Sequence, residues 1–414
     1  MAIPCVPIVS LNFSDGPVFG NPFTIGDSTT PLGVGVLADK ASLTVDLSSS
    51  TTSIKITRKR DVLQDTYLAG TAIVRVLDPN SYFNPQNINS PYYGFIQPLR
   101  KLRISTVYNG VTYYLFSGYT TDYKYTYPQN QVTGYVDIYC VDAFRIFNMS
   151  AITTVTGNTT GDTTGTRIGQ VLNTLNWPTG MRSISAGSTT CQSDPGNSRA
   201  ALYALKQYEE TEFGAFYVDT QGQAVFKSRA QVIAAAGGTP TVFAQDGSGI
   251  AFANVKFAFD DKQIINQANM QNVGGTMQTS TSASSILSYF QHAFTRNDLL
   301  AQTDADALNI AQAYVASRKD TSIRIDELML DLTTANYTAG VTAALALQYF
   351  DQVKITANSP GGSTIVKTLQ VQGITHEITP NSWFTTLQTL EPIIDGFIIG
   401  SSLYGILGTS TMAY

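Results

Sequence analysis

The sequence predicts a mainly β protein with an α+β insertion: two similar β-barrel domains separated by a small α/β domain. Three observations carry this expectation. Two β-rich regions each hold a glycine-bearing strand that ends at a Pro/Asn turn, "SGYTTDYKYTYPQNQ" at 117–131 and "QGITHEITPNS" at 372–382. Between them the apolar period changes from that of a strand to that of a helix. Charge is also scarce. Asp, Glu, Lys and Arg make up 13% of the 414 residues, about half the roughly 25% of ordinary soluble domains. Thr, Ser, Asn, Gln and 22 tyrosines carry the polarity instead, a mix suited to sheets and protein–protein interfaces.

Residues 1–40 are punctuated by Pro and Gly and read as an extended segment. Their "GVGVLADK" matches a Gly-x-Gly turn, but no strand precedes it and no helix follows, so no cofactor site is expected. From 41 to 150 the pattern is that of a first barrel. "LRISTVY" and "VTYYLF" flank Asn109-Gly110, a strong hairpin signal, and "YVDIYCVDAF" alternates inward and outward. Pro79, Pro85, Pro91 and Pro98 fall in one connection. Proline cannot donate to a ladder, so this is a long ordered loop and a candidate functional surface.

Residues 151–238 read as the α/β domain, entered through a linker, "AITTVTGNTTGDTTG". "TRIGQVLNTLNW" sets Ile168, Val171, Leu172 and Leu175 on one helical face, "SRAALYALKQYEE" forms a second helix, and Gln221-Gly222 turns a hairpin. A second barrel is expected over 239–392, with an inserted helix at 303–319 capped by Thr303. In "IRIDELMLDL" the apolar parity switches between Ile325 and Leu328, which marks a bulge. The final segment, 393–414, repeats "IIGSSLY" as "ILGTSTM" and reads as an arm. Glycines inside strands mark bends, so the glycine-bearing strands are expected at equivalent places in the two barrels.

Little here points to catalysis. His292 sits in "YFQHAF", and His376 alternates with Ile374 and Ile378 on a strand, the pattern of a core or interface residue. No HExxH, GxSxG or Walker sequence occurs. Glu209, Glu210 and Glu212 are a carboxylate set of the kind glycosidases use, but they end a helix and read as a solvated terminus. Cys5, Cys140 and Cys191 are odd in number and far apart, so neither a metal site nor a disulfide framework is expected. The net charge of −5 argues against a dedicated nucleic-acid binder. Arg58-Lys59-Arg60 and Arg100-Lys101-Arg103 read as a polar interface rim, with phosphate contact as the alternative. No signal peptide is expected at the N-terminus. The most apolar run, "IIDGFIIGSSLYGILG", contains Asp395 and four glycines and is too interrupted to be a membrane anchor.

One stretch carries a resemblance. Arg60, Ala69-Gly70-Thr71, Asn84-Pro85, Ser90-Pro91-Tyr92-Tyr93 and Pro98-Leu99-Arg100 occur in that order, and the pattern resembles the N-terminal signature of minor tail proteins of tailed bacteriophages. "FSDGPVFGNPFTIGD" and "ILGTS" are further likenesses. The order of elements resembles the baseplate, or tail-tip, hub. That resemblance implies two tube-type barrels around an α/β domain and a homotrimer that adapts a six-fold tail tube to a three-fold tip. It also implies a lumen through which genomic DNA passes non-specifically, and a virion protein made in the host cytoplasm. Implied partners are distal tail and tail-tube proteins, the tape-measure protein, and receptor-binding or fibre proteins. No enzymatic activity and no cofactor are implied. The candidate interface residues are Pro91, Tyr92, Tyr93 and Arg100 in the loop, with Phe397 and Tyr404 in the arm. The alternative is a receptor- or glycan-binding tail adhesion protein, its Tyr-rich loops stacking on sugars.

Overall fold

A computed structural model describes residues 3–13, 44–61, 66–128, 133–259, 261–321, 323–335, 337–358 and 361–391. The expected C-terminal arm, with Phe397 and Tyr404, lies outside the described residues, as does most of 1–40. The first β region comprises β1 (Pro7–Asn12), β2 (Thr44–Asp46), β3 (Thr51–Asp61), β4 (Thr66–Tyr67), β5 (Thr71–Leu77), β6 (Lys101–Tyr108), β7 (Val111–Thr126) and β8 (Tyr135–Val141). Helix α1 (Phe144–Met149) and β9 (Ala151–Ile152) lead into the middle of the chain. There follow α2 (Thr164–Thr174), β10 (Arg182–Ile184), β11 (Arg199–Ala200), α3 (Ala201–Glu212), β12 (Ala215–Val218), β13 (Ala224–Lys227) and α4 (Arg229–Ala235). The second β region opens with β14 (Thr241–Ala244) and β15 (Asn254–Ala258). An insertion holds β16 (Gln267–Asn272), β17 (Gln278–Thr281), α5 (Ala283–Tyr289), β18 (Ala293–Leu299) and α6 (Asp304–Arg318). The chain then forms β19 (Arg324–Asp331), α7 (Thr338–Ala346), β20 (Gln352–Asn358), β21 (Thr364–Thr379) and β22 (Ser382–Leu390).

Local chemistry accounts for several of these elements. Asn109 and Gly110 both take positive φ, 51° and 78°, which is what a tight hairpin between β6 and β7 requires. Thr303 Oγ1 accepts the Asp306 backbone N–H and starts α6, with Asp304 and Asp306 in the first turn and Arg318 in the last, matching the helix dipole. On β19, Glu327 pairs with Lys256 while Ile325 pairs with Phe257, so Asp326 is the bulged residue at the parity switch.

The strands of the two β regions are ordered alike. The first set, β3, β5, β6, β7 and β8 in chain order, lies in the sheet as β3-β5-β8-β7-β6. The second, β15, β19, β20, β21 and β22, lies as β15-β19-β22-β21-β20. Every neighbouring pair in both sets is antiparallel. In each set the fourth strand has 16 residues and is bulged opposite the fifth. The extra residue is Thr121 in β7 and Gln372 in β21.

Two separate barrels are not what these strands form. No sheet of the described residues closes on itself, and both sets belong to one 14-stranded sheet. The reason is a length mismatch. β21 has 16 residues and its neighbour β20 has 7, so β21 overshoots. Up to Gln370 it pairs with β20, and from Gly373 to Ile378 the same edge pairs with β3. The glycines differ from expectation as well. Gly118 precedes the bulged residue Thr121 by three positions, whereas Gly373 directly follows the bulged Gln372. The strands correspond; the glycines within them do not.

One apolar core underlies both sets, including Ile54, Val74 and Ile138 from the first and Leu328, Ile355 and Ile374 from the second. A second core packs α1, α2 and α3 against the β10-β13-β12 sheet. A third joins α6 to β16 and β18.

Candidate functional site

The proline-containing loop is wound rather than loose. Ser81, Asn84, Asn87, Ser90 and Tyr93 each donate a backbone N–H to the carbonyl three residues earlier, giving a run of consecutive turns. Asp78 anchors its start, accepting the backbone N–H groups of Tyr82 at 2.7 Å and Phe83 at 2.9 Å and the Tyr127 hydroxyl at 3.0 Å. Ser90 Oγ donates to the Tyr82 carbonyl at 2.5 Å and accepts the Tyr92 N–H at 3.0 Å. Phe83 is buried, and half-buried Tyr92 lies against it and Phe13. Tyr92 is therefore an anchor of the loop, while Pro91 and Tyr93 point outward with Ile88. Arg100 holds the loop's base: its backbone N–H donates to Thr120 Oγ1 at 3.0 Å and its guanidinium to Gln97 Oε1 at 2.6 Å.

The second feature is the place where β21 passes from β20 to β3. Arg58 and Arg60, expected at a rim, are buried there. Arg58 lies over the Tyr349 ring at 4.7 Å and Arg60 over the Tyr67 ring at 5.6 Å. Cation–π contact offsets part of the cost of taking these charges out of water. Gln372, the bulged residue, accepts the Tyr67 hydroxyl at 2.5 Å and Arg60 Nη1 at 3.4 Å. Tyr67, Tyr217, Tyr349 and Phe350 pack as one aromatic cluster drawn from β4, β12 and the approach to β20. Burial raises the Tyr67 hydroxyl pKa well above its ordinary value, so it stays a neutral donor to Gln372.

The three glutamates at the end of α3 are structural. Glu209, buried rather than solvated, accepts the Phe216 N–H at 2.7 Å and pairs with Lys206 at 2.7 Å. Glu212, also buried, accepts from Thr164 Oγ1, from Ser188 through both N–H and Oγ, and from the Thr189 N–H. Glu210 receives Arg296 Nε at 2.6 Å, tying α3 to β18. All three carboxylates have partners within the fold. The Asp142 carboxyl, capping α1 through the Phe144 N–H, is pushed up to about 7 by burial. His292 bonds the Tyr289 carbonyl at 3.1 Å through Nε2.

His376 is a buried core residue, with Nδ1 2.9 Å from Thr385 Oγ1 and 3.4 Å from Trp383 Nε1. Burial, helped by the Arg58 charge, holds its pKa down at about 3. The folded ring is therefore neutral where the unfolded ring, with its ordinary pKa of about 6.5, takes up a proton. The resulting stability is fully present above pH 6.5 and is lost as pH falls toward 3, at about 1.4 kcal/mol per pH unit. Asp142 acts in the opposite sense between pH 4 and 7. Urea denaturation at pH 7 and pH 4.5 is expected to show a smaller acid loss for His376→Gln than for the wild type. Equal losses would show that His376 does not carry the dependence.

Among the described residues no three His, Cys, Asp or Glu side chains cluster as a metal site would, and no helix is long and apolar enough to cross a membrane. Cys5, Cys140 and Cys191 are free and buried. Sequence reasoning missed the two strand edges that matter most to the sheet, the outer edge of β15 and the far half of β7. Among the described residues neither has a strand partner on that side.

No protein-family model matches the chain, and no curated protein does. The fold is similar to that of the 43 kDa tail protein of prophage MuSo2 from Shewanella oneidensis. The TM-score is 0.55 at 14% identity, over 84% of this chain and 96% of that one. The tail protein from Neisseria meningitidis MC58 is similar to the same degree, with a TM-score of 0.55 at 9% identity, over 85% of this chain and 94% of that one. A chain of the lidless PdpA–VgrG complex gives a TM-score of 0.50 at 8% identity, over 94% of this chain and 66% of that one. The chain thus has the fold of phage tail proteins.

Proposed function

We propose that this chain is a structural hub of a phage tail tip or baseplate, working as a homotrimer without enzymatic activity. The observation that carries the proposal is the duplicated strand order, β3-β5-β8-β7-β6 and β15-β19-β22-β21-β20, within a single sheet. Three copies of a chain with two like units present six like units. A closed three-fold ring then meets a six-fold tube with six similar contacts, which closed cyclic symmetry requires. The fold likeness to tail proteins supports the same reading.

On this reading the chain divides at 1–40, 41–150, 151–238, 239–392 and 393–414, and the ring, not the single chain, closes the tube around a DNA-passing channel. The outward residues Pro91 and Tyr93, with Phe397 and Tyr404 of the arm, contact neighbouring copies or other tail proteins, such as tube, tape-measure and receptor-binding components. Low charge fits this role, since extensive subunit contacts exclude unpaired charge.

The experiment is native mass spectrometry of the purified chain, with image classification of the particle for symmetry. A trimer with three-fold symmetry and six pseudo-equivalent lobes is expected. A monomer or a true hexamer would overturn the proposal.

A further inference from the structure

We infer that β15 of one copy pairs antiparallel with residues 122–127 of the next copy, repeating between chains the junction that β3 and β21 make within one. This rests on the trimer reading and assigns the strands that join its copies.

The correspondence follows from the bulges. Asp122 and Gly373 are each the first paired residue after the bulge in the fourth strand of their set. Following the pairings across the sheet from these two, Tyr139 corresponds to Gln388, Ile73 to Glu327, and Lys55 to Lys256. Within the chain, His376 lies opposite Ile56 and Ile374 opposite Arg58. Carried to the other pair of strands, these become Tyr125 opposite Phe257 and Tyr123 opposite Phe259.

Burial sets the two junctions apart. Ile56, Arg58, Ile374 and His376 are all buried. Of their four counterparts, Tyr123 is half-buried against Phe83, while Phe257 is 37% exposed, Phe259 69% and Tyr125 45%. Three of the four aromatic side chains at core-equivalent positions are thus left at a surface. Both edges also lack a second strand among the described residues. Among the described residues β15 pairs only with β19, and β6 leaves β7 at Tyr119, with two further backbone hydrogen bonds at Thr120, from the Leu99 N–H to its carbonyl and from its N–H to the Arg100 carbonyl. Beyond that, β7 is paired only on its β8 side. An open edge with apolar side chains is a template for another strand, and cross-strand aromatic pairs strengthen such a contact.

A second copy is the occupant because the chain carries both halves of the junction, pointing in the same rotational sense as the internal one. Every junction in the ring then runs from a fourth strand to a first strand, alternately within and between chains. Head-to-tail contacts of this kind close into rings.

The test is the double variant Tyr125→Cys/Phe257→Cys, oxidised mildly and run on a non-reducing gel beside each single variant, with native mass spectrometry of the wild type. Both positions are partly exposed, so the fold should survive. The expected result is a covalent trimer in the double variant and none in the singles. A second variant, Phe257→Glu, should convert most of the trimer to monomer while keeping the thermal transition. A wild-type trimer whose double variant does not cross-link would overturn the strand pairing and leave the hub reading standing. A disulfide inside one chain would also overturn it. A wild type that is monomeric would overturn both.

Discussion

Arg167→Met is expected to lower folding stability by about 2–4 kcal/mol, the range for leaving several acceptors of a charged donor without their partner. The Arg167 side chain is fully buried although it sits on α2 beside apolar Ile168 and Val171. Its guanidinium donates to the Thr159 carbonyl at 2.7 Å, the Gln192 carbonyl at 2.9 Å, and Asn158 Oδ1. Asn158 Oδ1 in turn accepts the Asp194 N–H at 2.9 Å. One side chain therefore fastens two loops to the helix, and the stretch expected to be a linker is held rather than free. Met keeps the volume and drops the donors. Lys keeps the charge but not the planar fork, so Arg167→Lys should recover only part of the loss. Urea denaturation measures both. A loss under about 0.5 kcal/mol in Arg167→Met would show that the loops hold themselves.

Local features of the fold were legible in the sequence because local chemistry sets them. The Asn109-Gly110 turn, the Thr303 cap and the parity switch around Asp326 each rest on a few adjacent residues. The β21–β3 junction joins residues more than 300 positions apart, and no local pattern records which free edge a strand will meet. For the same reason the sequence suggests a rim at Arg58 and Arg60. Their burial depends on Tyr349 and on Gln372, far along the chain. A helix end is usually exposed, so the sequence suggests solvated carboxylates at Glu209 and Glu212, whereas here loop and strand N–H groups close over both. The loop residues that carry the family resemblance have visible local work, Ser90 bridging Tyr82 and Tyr92. The burial of His376 fits its alternation with Ile374 and Ile378, a local signal of a core or interface position.

The two strand glycines separate local necessity from repetition. Gly118→Ala is expected to cost about 3 kcal/mol, at the upper end of what overpacking a tight site costs. A Cβ there would lie 2.6 Å from the Val141 carbonyl oxygen and 2.6 Å from the Phe116 ring. Val141 pairs with Tyr119, so its carbonyl cannot retreat without opening the β7–β8 ladder, and Phe116 is fully packed. Gly373→Ala meets a softer wall. The nearest atom is the amide oxygen of Gln388 at 2.6 Å, which can swing away, followed by Lys59 Cβ at 2.9 Å. Its cost should be smaller, about 1–2 kcal/mol. The order matters more than either value. If the glycines were copies of one ancestral bend, the two variants would behave alike. If each answers its own neighbour, as the register around Thr121 and Gln372 indicates, Gly118→Ala will be clearly the worse in parallel urea denaturation. Equal losses, or a Gly118→Ala protein as stable as the wild type, would return the glycines to equivalence and count against aligning the two sets by their bulges.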